Sequence, residues 1–263
     1  MQQIRKYPRT HHLQGSRLQP GDEDLEAEPV SVLHGCHVVV EEKLDGANCA
    51  ISFDEDGNLL LQSRGHYLTG GPRERHFELL KNWASGLAGQ LQPVLTDRFI
   101  VYGEWMYAKH TIFYDRLPHY FMEFDVLDCR HERFLSTKAR RQLLRGLPLC
   151  PVPIVHQGDV GNADQLHELI GPSRYKSGSW RDVLAEEAAK PPHKAPMVNH
   201  QTDQSDLMEG LYIKLEDEDT VTGRYKFVRA SFLTTVMESQ SHWQSRPILK
   251  NRLAPGADLG MGS

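Results

Sequence analysis

The chain has 263 residues, 39% of them hydrophobic and 25% charged, with a formal net charge of −5. At about 150 residues per domain this is one or two globular domains, long enough for a core without disulfide or metal staples. The charge excludes a uniformly basic nucleic-acid coat but leaves room for a local basic groove, and no apolar run approaches the about 18 residues of a membrane span.

Residues 1–28 read as an irregular arm, polar and punctuated by Pro8, Gly15, Pro20 and Gly21. The start MQQIRKYPRTHHL lacks the apolar stretch of a secretory signal, so a cytoplasmic location is expected. Val38-Val39-Val40 opens a strand that ends in Glu41-Glu42-Lys43, and residues 50–53 form a second. Asp56-Gly57-Asn58 is a hairpin signal, and residues 59–64 return as a third strand. The spacing of Phe77, Leu80, Ala84 and Leu87 predicts a helix over 73–87. Residues 99–105 and 120–127 are apolar, aromatic runs of strand length.

Ser136 or Thr137 then caps a basic helix, KARRQLLRGL, closed by Gly146 and Pro148. Lys138, Arg140, Arg141 and Arg145 on it read as an RNA-facing patch or as a solvated basic face. A short strand at 153–156 and helices over 163–170 and 181–190 follow. Residues 191–206, PPHKAPMVNHQTDQSD, carry no apolar period and are expected to be a mobile loop. Strands over 210–215 and 221–228 flank the acidic turn 216–219, and a helix runs from 231 to about 240. Residues 241–263 form a tail expected to fray after Arg252, where Pro255, Gly256, Gly260 and Gly262 lie. The fold class is α+β: antiparallel sheets flanked by helices, one domain over 29–240 with a helical and loop insertion near 158–206.

Four cysteines, Cys36, Cys49, Cys129 and Cys150, are scattered without a CxxC pair. That argues against a zinc ribbon and for free thiols in a reducing compartment. The 14 histidines show no HExxH spacing, and no GxxxxGK[ST] or GxGxxG fingerprint is present. The informative segment is Lys43-Leu44-Asp45-Gly46-Ala47-Asn48, where a lysine ends a strand and a glycine turn leads to the next. A lysine amine is a nucleophile only when neutral, so a site must lower its proton affinity with neighbouring cations or desolvation. By itself the hexapeptide is equally readable as a solvated strand end beside an Asp-Gly turn.

Five further segments follow in order: Ser63-Arg64-Gly65, Tyr102-Gly103-Glu104-Trp105, Glu123-Phe124-Asp125, Glu209-Gly210-Leu211-Tyr212-Ile213-Lys214 and Gly223-Arg224-Tyr225-Lys226-Phe227. As an ordered set they resemble the covalent nucleotidyltransferase superfamily of ATP-dependent ligases and RNA capping enzymes, and most closely the RNA ligase 2-like group of ATP-dependent RNA ligases. The resemblance covers roughly residues 38–229. It implies that Lys43 attacks the α-phosphate of ATP and carries AMP, with Mg²⁺ or Mn²⁺ as cofactor. It implies that Glu42 helps place the adenine, Arg64 contacts the ribose or α-phosphate, Glu104 the ribose hydroxyls, and that Phe124 stacks on the base. Glu209 would hold the metal, with Asp45 acting through water or simply shaping its turn. Lys214, Arg224 and Lys226 would face the phosphates, Lys226 as a catalytic cation.

Asn48 stands where DNA ligases and capping enzymes of the superfamily usually have arginine, which favours RNA. Arg224-Tyr225-Lys226 departs from the usual Lys-x-Lys and leaves Arg224 less constrained. The implied substrate is RNA with 5′-phosphate and 3′-hydroxyl ends. After Arg229 the chain runs only to 263, too short for an OB-fold domain, so an accessory repair or end-processing protein is an expected partner. The alternatives are a DNA ligase or guanylyltransferase of the same superfamily, a PD-(D/E)xK nuclease using Asp125, Glu209 and Lys214, and a silent RNA-binding domain that keeps the pocket.

Overall fold

Alternation along the strands sets which face of each meets an apolar core, and their pairing gathers them into two sheets. The computed structural model describes residues 3–18, 25–239 and 246–260. Its strands and helices are, in order, β1 His11–His12, β2 His37–Lys43, β3 Ala47–Phe53, β4 Leu59–Ser63, α1 Glu78–Leu95, β5 Phe99–Trp105, β6 Phe121–Asp128, β7 Arg133–Phe134, α2 Thr137–Leu143, β8 Cys150–Pro151, β9 Ile154–Gly158, α3 Ala163–Leu169, α4 Trp180–Ala188, α5 Ala195–His200, β10 Gly210–Glu216, β11 Val221–Val228 and α6 Ala230–Glu238. The first sheet runs β1-β11-β10-β2-β9, and the second β4-β3-β5-β6-β7 with β8 on β6. β2 and β3 are consecutive in the chain but belong to different sheets. Leu44, Asp45 and Gly46 therefore cross from one sheet to the other.

In the first sheet Val38, Val40, Leu211, Ile213, Leu215 and Phe227 face outward, buried under Leu13, Leu33 and Leu166. Period-2 geometry then turns Glu41, Lys43, Tyr212, Lys214, Arg224 and Lys226 inward, toward the second sheet. The second sheet packs its apolar face on α1, whose Leu80, Trp83, Ala84, Leu87, Leu91 and Leu95 form one buried stripe. Each fully buried large side chain contributes about 1.5–3 kcal/mol. Apolar cores thus lie outside, and a charged layer lies between the sheets.

Several expectations need correction. The helix expected over 73–87 is a 3-10 turn, Pro72–Phe77, followed by α1. α1 continues through Pro93 because Leu91 and Leu95 extend its stripe, and it ends at once, with the Thr96 N–H donating to Gln92 O. The arm is not wholly irregular: β1 pairs parallel with β11, and His12 and Leu13 are fully buried. Pro20 and Gly21 lie outside the described residues.

The expected mobile loop 191–206 contains α5 and is docked. Val198 packs with Trp180, Leu184 and Leu249, the Asp203 N–H donates to Thr111 O at 2.9 Å, and Asp203 pairs with Arg229. Besides Val198, its anchors are backbone hydrogen bonds and two ion pairs, Asp203 with Arg229 and Asp206 with Arg181, which leave no periodic trace in the sequence.

The tail is also tied down beyond Arg246. Asn251 is fully buried; its Oδ1 accepts from the Tyr114 N–H at 2.9 Å, and its Nδ2 donates to Met106 O at 2.7 Å. Leu253 bridges Leu117. Gln240, residues 241–245 and Gly262 lie outside the described residues. No described helix is long and apolar enough to cross a membrane.

Candidate active site

A cavity of about 740 Å³ opens between the sheets, and Glu42, Lys43, Asp45, Asn48, Arg64, Glu104, Phe124, Glu209 and Lys226 all line it. Lys43 ends β2 opposite Gly210 in β10. Its Nζ donates to Glu209 Oε1 at 2.5 Å, with the lysine side chain 24% exposed and the glutamate 2%. Gly210 permits this placement: a Cβ there would lie 2.2 Å from Phe227 O, so a side chain would force β10 from β11.

Gly46 plays the same part at the crossing between sheets. A Cβ on it would come within 2.9 Å of both Trp105 O and Glu104 Cγ. The close approach lets the Gly46 N–H donate to Glu104 Oε1 at 3.2 Å. Asp45 fixes the other side of the turn. Its Oδ2 accepts from the Thr111 and Ile112 N–H groups, both at 2.7 Å, and its own N–H donates to Tyr114 Oη at 2.9 Å. Asn48 pairs in register with Glu104 on β5. Arg64 follows β4 and is exposed at the mouth.

Phe124 owes its direction to a bulge. Tyr102 pairs with Asp125 but Gly103 pairs with Glu123, so Phe124 is the extra residue of β6. Bulges re-aim side chains in this way. Its ring meets Tyr7 edge-on at 5.2 Å and Tyr212 at 6.1 Å. Glu42 is held by Ser173 and Arg174: its Oε1 accepts from Ser173 Oγ at 2.5 Å and its Oε2 from the Arg174 N–H at 3.3 Å.

Charge balance governs the floor of the cavity. Burial pulls the Lys43 amine down, but Glu209, Glu104 and Asp45 more than offset it and hold the amine above its ordinary value. Burial raises all three carboxyls, Glu104 to about 8 and Glu209 to about 7, with repulsion from Glu209 and Asp45 adding to the rise at Glu104 and from Asp45 at Glu209. Lys43 counteracts the rise in each. Three carboxyls around one amine form an oxygen-rich environment suited to a hard divalent cation, whose charge would favour their ionised form and which keeps water and phosphate ligands. Among the described residues no group of three or more His, Cys, Asp or Glu forms a ready-made metal cage.

Lys214 and Arg224 do not line the cavity, which departs from their expected place at the phosphates. Lys214 Nζ lies 2.9 Å from Glu41 Oε2 and 2.8 Å from Asp125 Oδ1, and it donates to Phe124 O at 2.5 Å. Arg224 stacks 3.9 Å over the Phe134 ring. Both side chains are consumed by the layer between the sheets. Arg140 is fully buried there too, 2.7 Å from Glu41 Oε1 and 3.3 Å from Glu123 Oε2, so it joins neither an RNA-facing patch nor a solvated face.

Tyr7, Ser173 and Arg246 are cavity or support residues that the sequence did not single out. Tyr7 lines the cavity and donates to Asp125 Oδ2 at 2.5 Å. A lone aromatic in a polar arm was its only signal. Arg246 reaches the cavity from the segment read as a tail.

The RNA ligase family profile matches residues 36–228, which contain all of these motif positions. The chain belongs to the RNA ligase family. Among solved structures it is similar to Naegleria gruberi RNA ligase with pyrophosphate, at TM-score 0.54 and 20% identity over 88% of this chain and 57% of that one. A mutant of that ligase with AMP and manganese matches at TM-score 0.53 and 18% identity, over 88% and 57%. Another, with ATP and manganese, matches at 0.52 and 18%, over 88% and 58%. At such identity the likeness is one of fold. This RNA ligase family member spans less than three fifths of the Naegleria chains. No curated protein sequence matches it.

Proposed function

We propose that this chain is an ATP-dependent RNA ligase that works through AMP on Lys43. The observation that carries the proposal is the Lys43 amine, presented at a strand end into a cavity with Glu209 against it and the bulge-aimed Phe124 also on the wall. In the first step Lys43 Nζ loses a proton and attacks the α-phosphorus of ATP. The bond to the bridging oxygen breaks and pyrophosphate leaves. In the second, an oxygen of an RNA 5′-phosphate attacks the same phosphorus, the P–N bond breaks and the amine regains a proton. In the third, a 3′-hydroxyl loses its proton and attacks the activated 5′-phosphate, the phosphoanhydride bond breaks and AMP leaves, and a 3′-5′ phosphodiester remains.

Each residue then has work suited to its place. Phe124 offers the base an aromatic face. Glu42, pinned by Ser173 and Arg174, would read the adenine edge. Glu104 would accept from ribose hydroxyls, Asn48 and Arg64 would contact the nucleotide, and Lys226 would steady charge on the α-phosphate. A divalent cation held by Glu209, with Asp45 through water, would neutralise phosphate charge when bound. It would also draw Glu209 off Lys43, freeing the amine from the carboxylate that keeps it protonated.

Incubation with α-labelled ATP and Mg²⁺ or Mn²⁺, then denaturing electrophoresis, tests this. Labelled protein is expected from ATP. Labelling by GTP alike would indicate capping chemistry, and no label with RNA cleavage would indicate the nuclease.

A further inference from the structure

We propose that a second, smaller cavity beside the active-site cleft holds a phosphate of the RNA strand whose end is being joined. The proposal rests on the RNA ligase reading. The cavity measures about 170 Å³, and four basic side chains, Lys109, His193, Lys194 and Arg246, share its wall with the amide of Gln201. No carboxylate lines it among the described residues. These groups come from three distant parts of the chain: the stretch after β5, the entry to α5, and the segment that follows α6.

Arg246 lines both cavities, so the small one lies along the same wall as the cleft. Arg246 Nη1 donates to His110 O at 3.0 Å, and Lys109 Nζ donates to the same oxygen at 3.1 Å. A guanidinium and a mostly buried amine are thus held side by side on one carbonyl. Lys109 also donates to Gln201 O at 2.8 Å. Burial, helped by Arg246 and Lys176 and partly opposed by Asp45, pulls the Lys109 amine down to about 7. An anion here would relieve that crowding of like charge, and a charged Lys109 has a third N–H to give it. The rest of the wall includes Val198, Pro247 and Leu249. An apolar wall suits a ribose attached to the phosphate better than a free hydrated ion.

The test is Lys194→Ala in the full chain, at an exposed position where the fold is not at stake. Binding of a 5′-phosphorylated RNA oligonucleotide is measured by anisotropy over a range of salt. At 0.1 M salt, one lost single-strand phosphate contact costs about fivefold in affinity and lowers the log–log salt slope by about 0.7. Those are the expected changes, with Lys43 labelling from ATP within about twofold of wild type because Lys194 lies outside the cleft. Unchanged RNA affinity and slope would overturn the assignment. So would loss of inorganic phosphate binding, read by calorimetry, with RNA affinity intact, since the occupant would then be a free anion. A wild-type protein that failed to label Lys43 would remove the ligase reading separately, whatever the RNA measurement gave.

Discussion

At the scale of single residues, the site is a contest of four charged groups. Lys43 is the nucleophile in the proposed reaction, yet Glu209 at 2.5 Å keeps it protonated in the free protein. Lys43→Arg should therefore give no AMP adduct, as Lys43→Ala should, because a guanidinium stays charged at any working pH. Gel labelling checks both. Glu209→Ala should cut labelling by about 10²–10³-fold, the usual cost of one preorganised charge contact, with partial rescue by raised Mn²⁺. Lys226→Ala should show a similar loss without that rescue.

A pH dependence follows from the same charges. Glu104 and Glu209 have proton affinities raised to about 8 and about 7 from the ordinary 4.5. The stability they contribute is complete below that ordinary value and is lost as pH rises through 7 to 8. Lys43, raised above 10.5, loses its contribution only at more alkaline pH. The free protein should thus lose stability at these sites between about pH 5 and about pH 8.5. Glu104→Gln mimics the protonated carboxyl permanently, so its melting temperature should gain on wild type across that window. A constant difference between the two would contradict the raised value at Glu104.

At the scale of elements, the strand-end motifs were legible because their determinants are local. Lys43-Leu44-Asp45-Gly46 marks a strand end and a turn within four positions, and the close packing around Gly46 explains why the turn has no side chain. Gly46→Ala should displace that turn and cut Lys43 labelling at least tenfold, since an error of about 1 Å in placement can cost 10²-fold. Near-normal labelling of the folded variant would count against the role given to the turn. Lys214 and Arg140 were misread for the opposite reason. A basic residue on a strand or helix looks solvent- or ligand-facing until the sheet order brings Glu41, Glu123 and Asp125 to it, and that pairing spans most of the chain. Arg140→Met would strand two buried carboxylates and should destabilise by about 3–5 kcal/mol in a denaturant titration.

At the scale of the molecule, both ends of the chain complete the central fold. Tyr7 enters the cavity from the arm, and Asn251 closes backbone groups of two loops from the other end. Neither was visible in the sequence, because isolated polar contacts carry no period. Asn251→Ala leaves the Tyr114 N–H and Met106 O without those bonds, and it should cost at least about 2 kcal/mol by denaturant titration. The α+β class and the antiparallel hairpins were legible, since alternation and turn chemistry are short-range. The division into two sheets was not, because it depends on which strands meet across the Lys43–Ala47 crossing.

The most direct measurement is peptide mass mapping of the protein after incubation with ATP and Mn²⁺. One AMP, acid-labile, is expected on the peptide that carries Lys43. AMP on any other residue, or none at all on a folded protein, would contradict it.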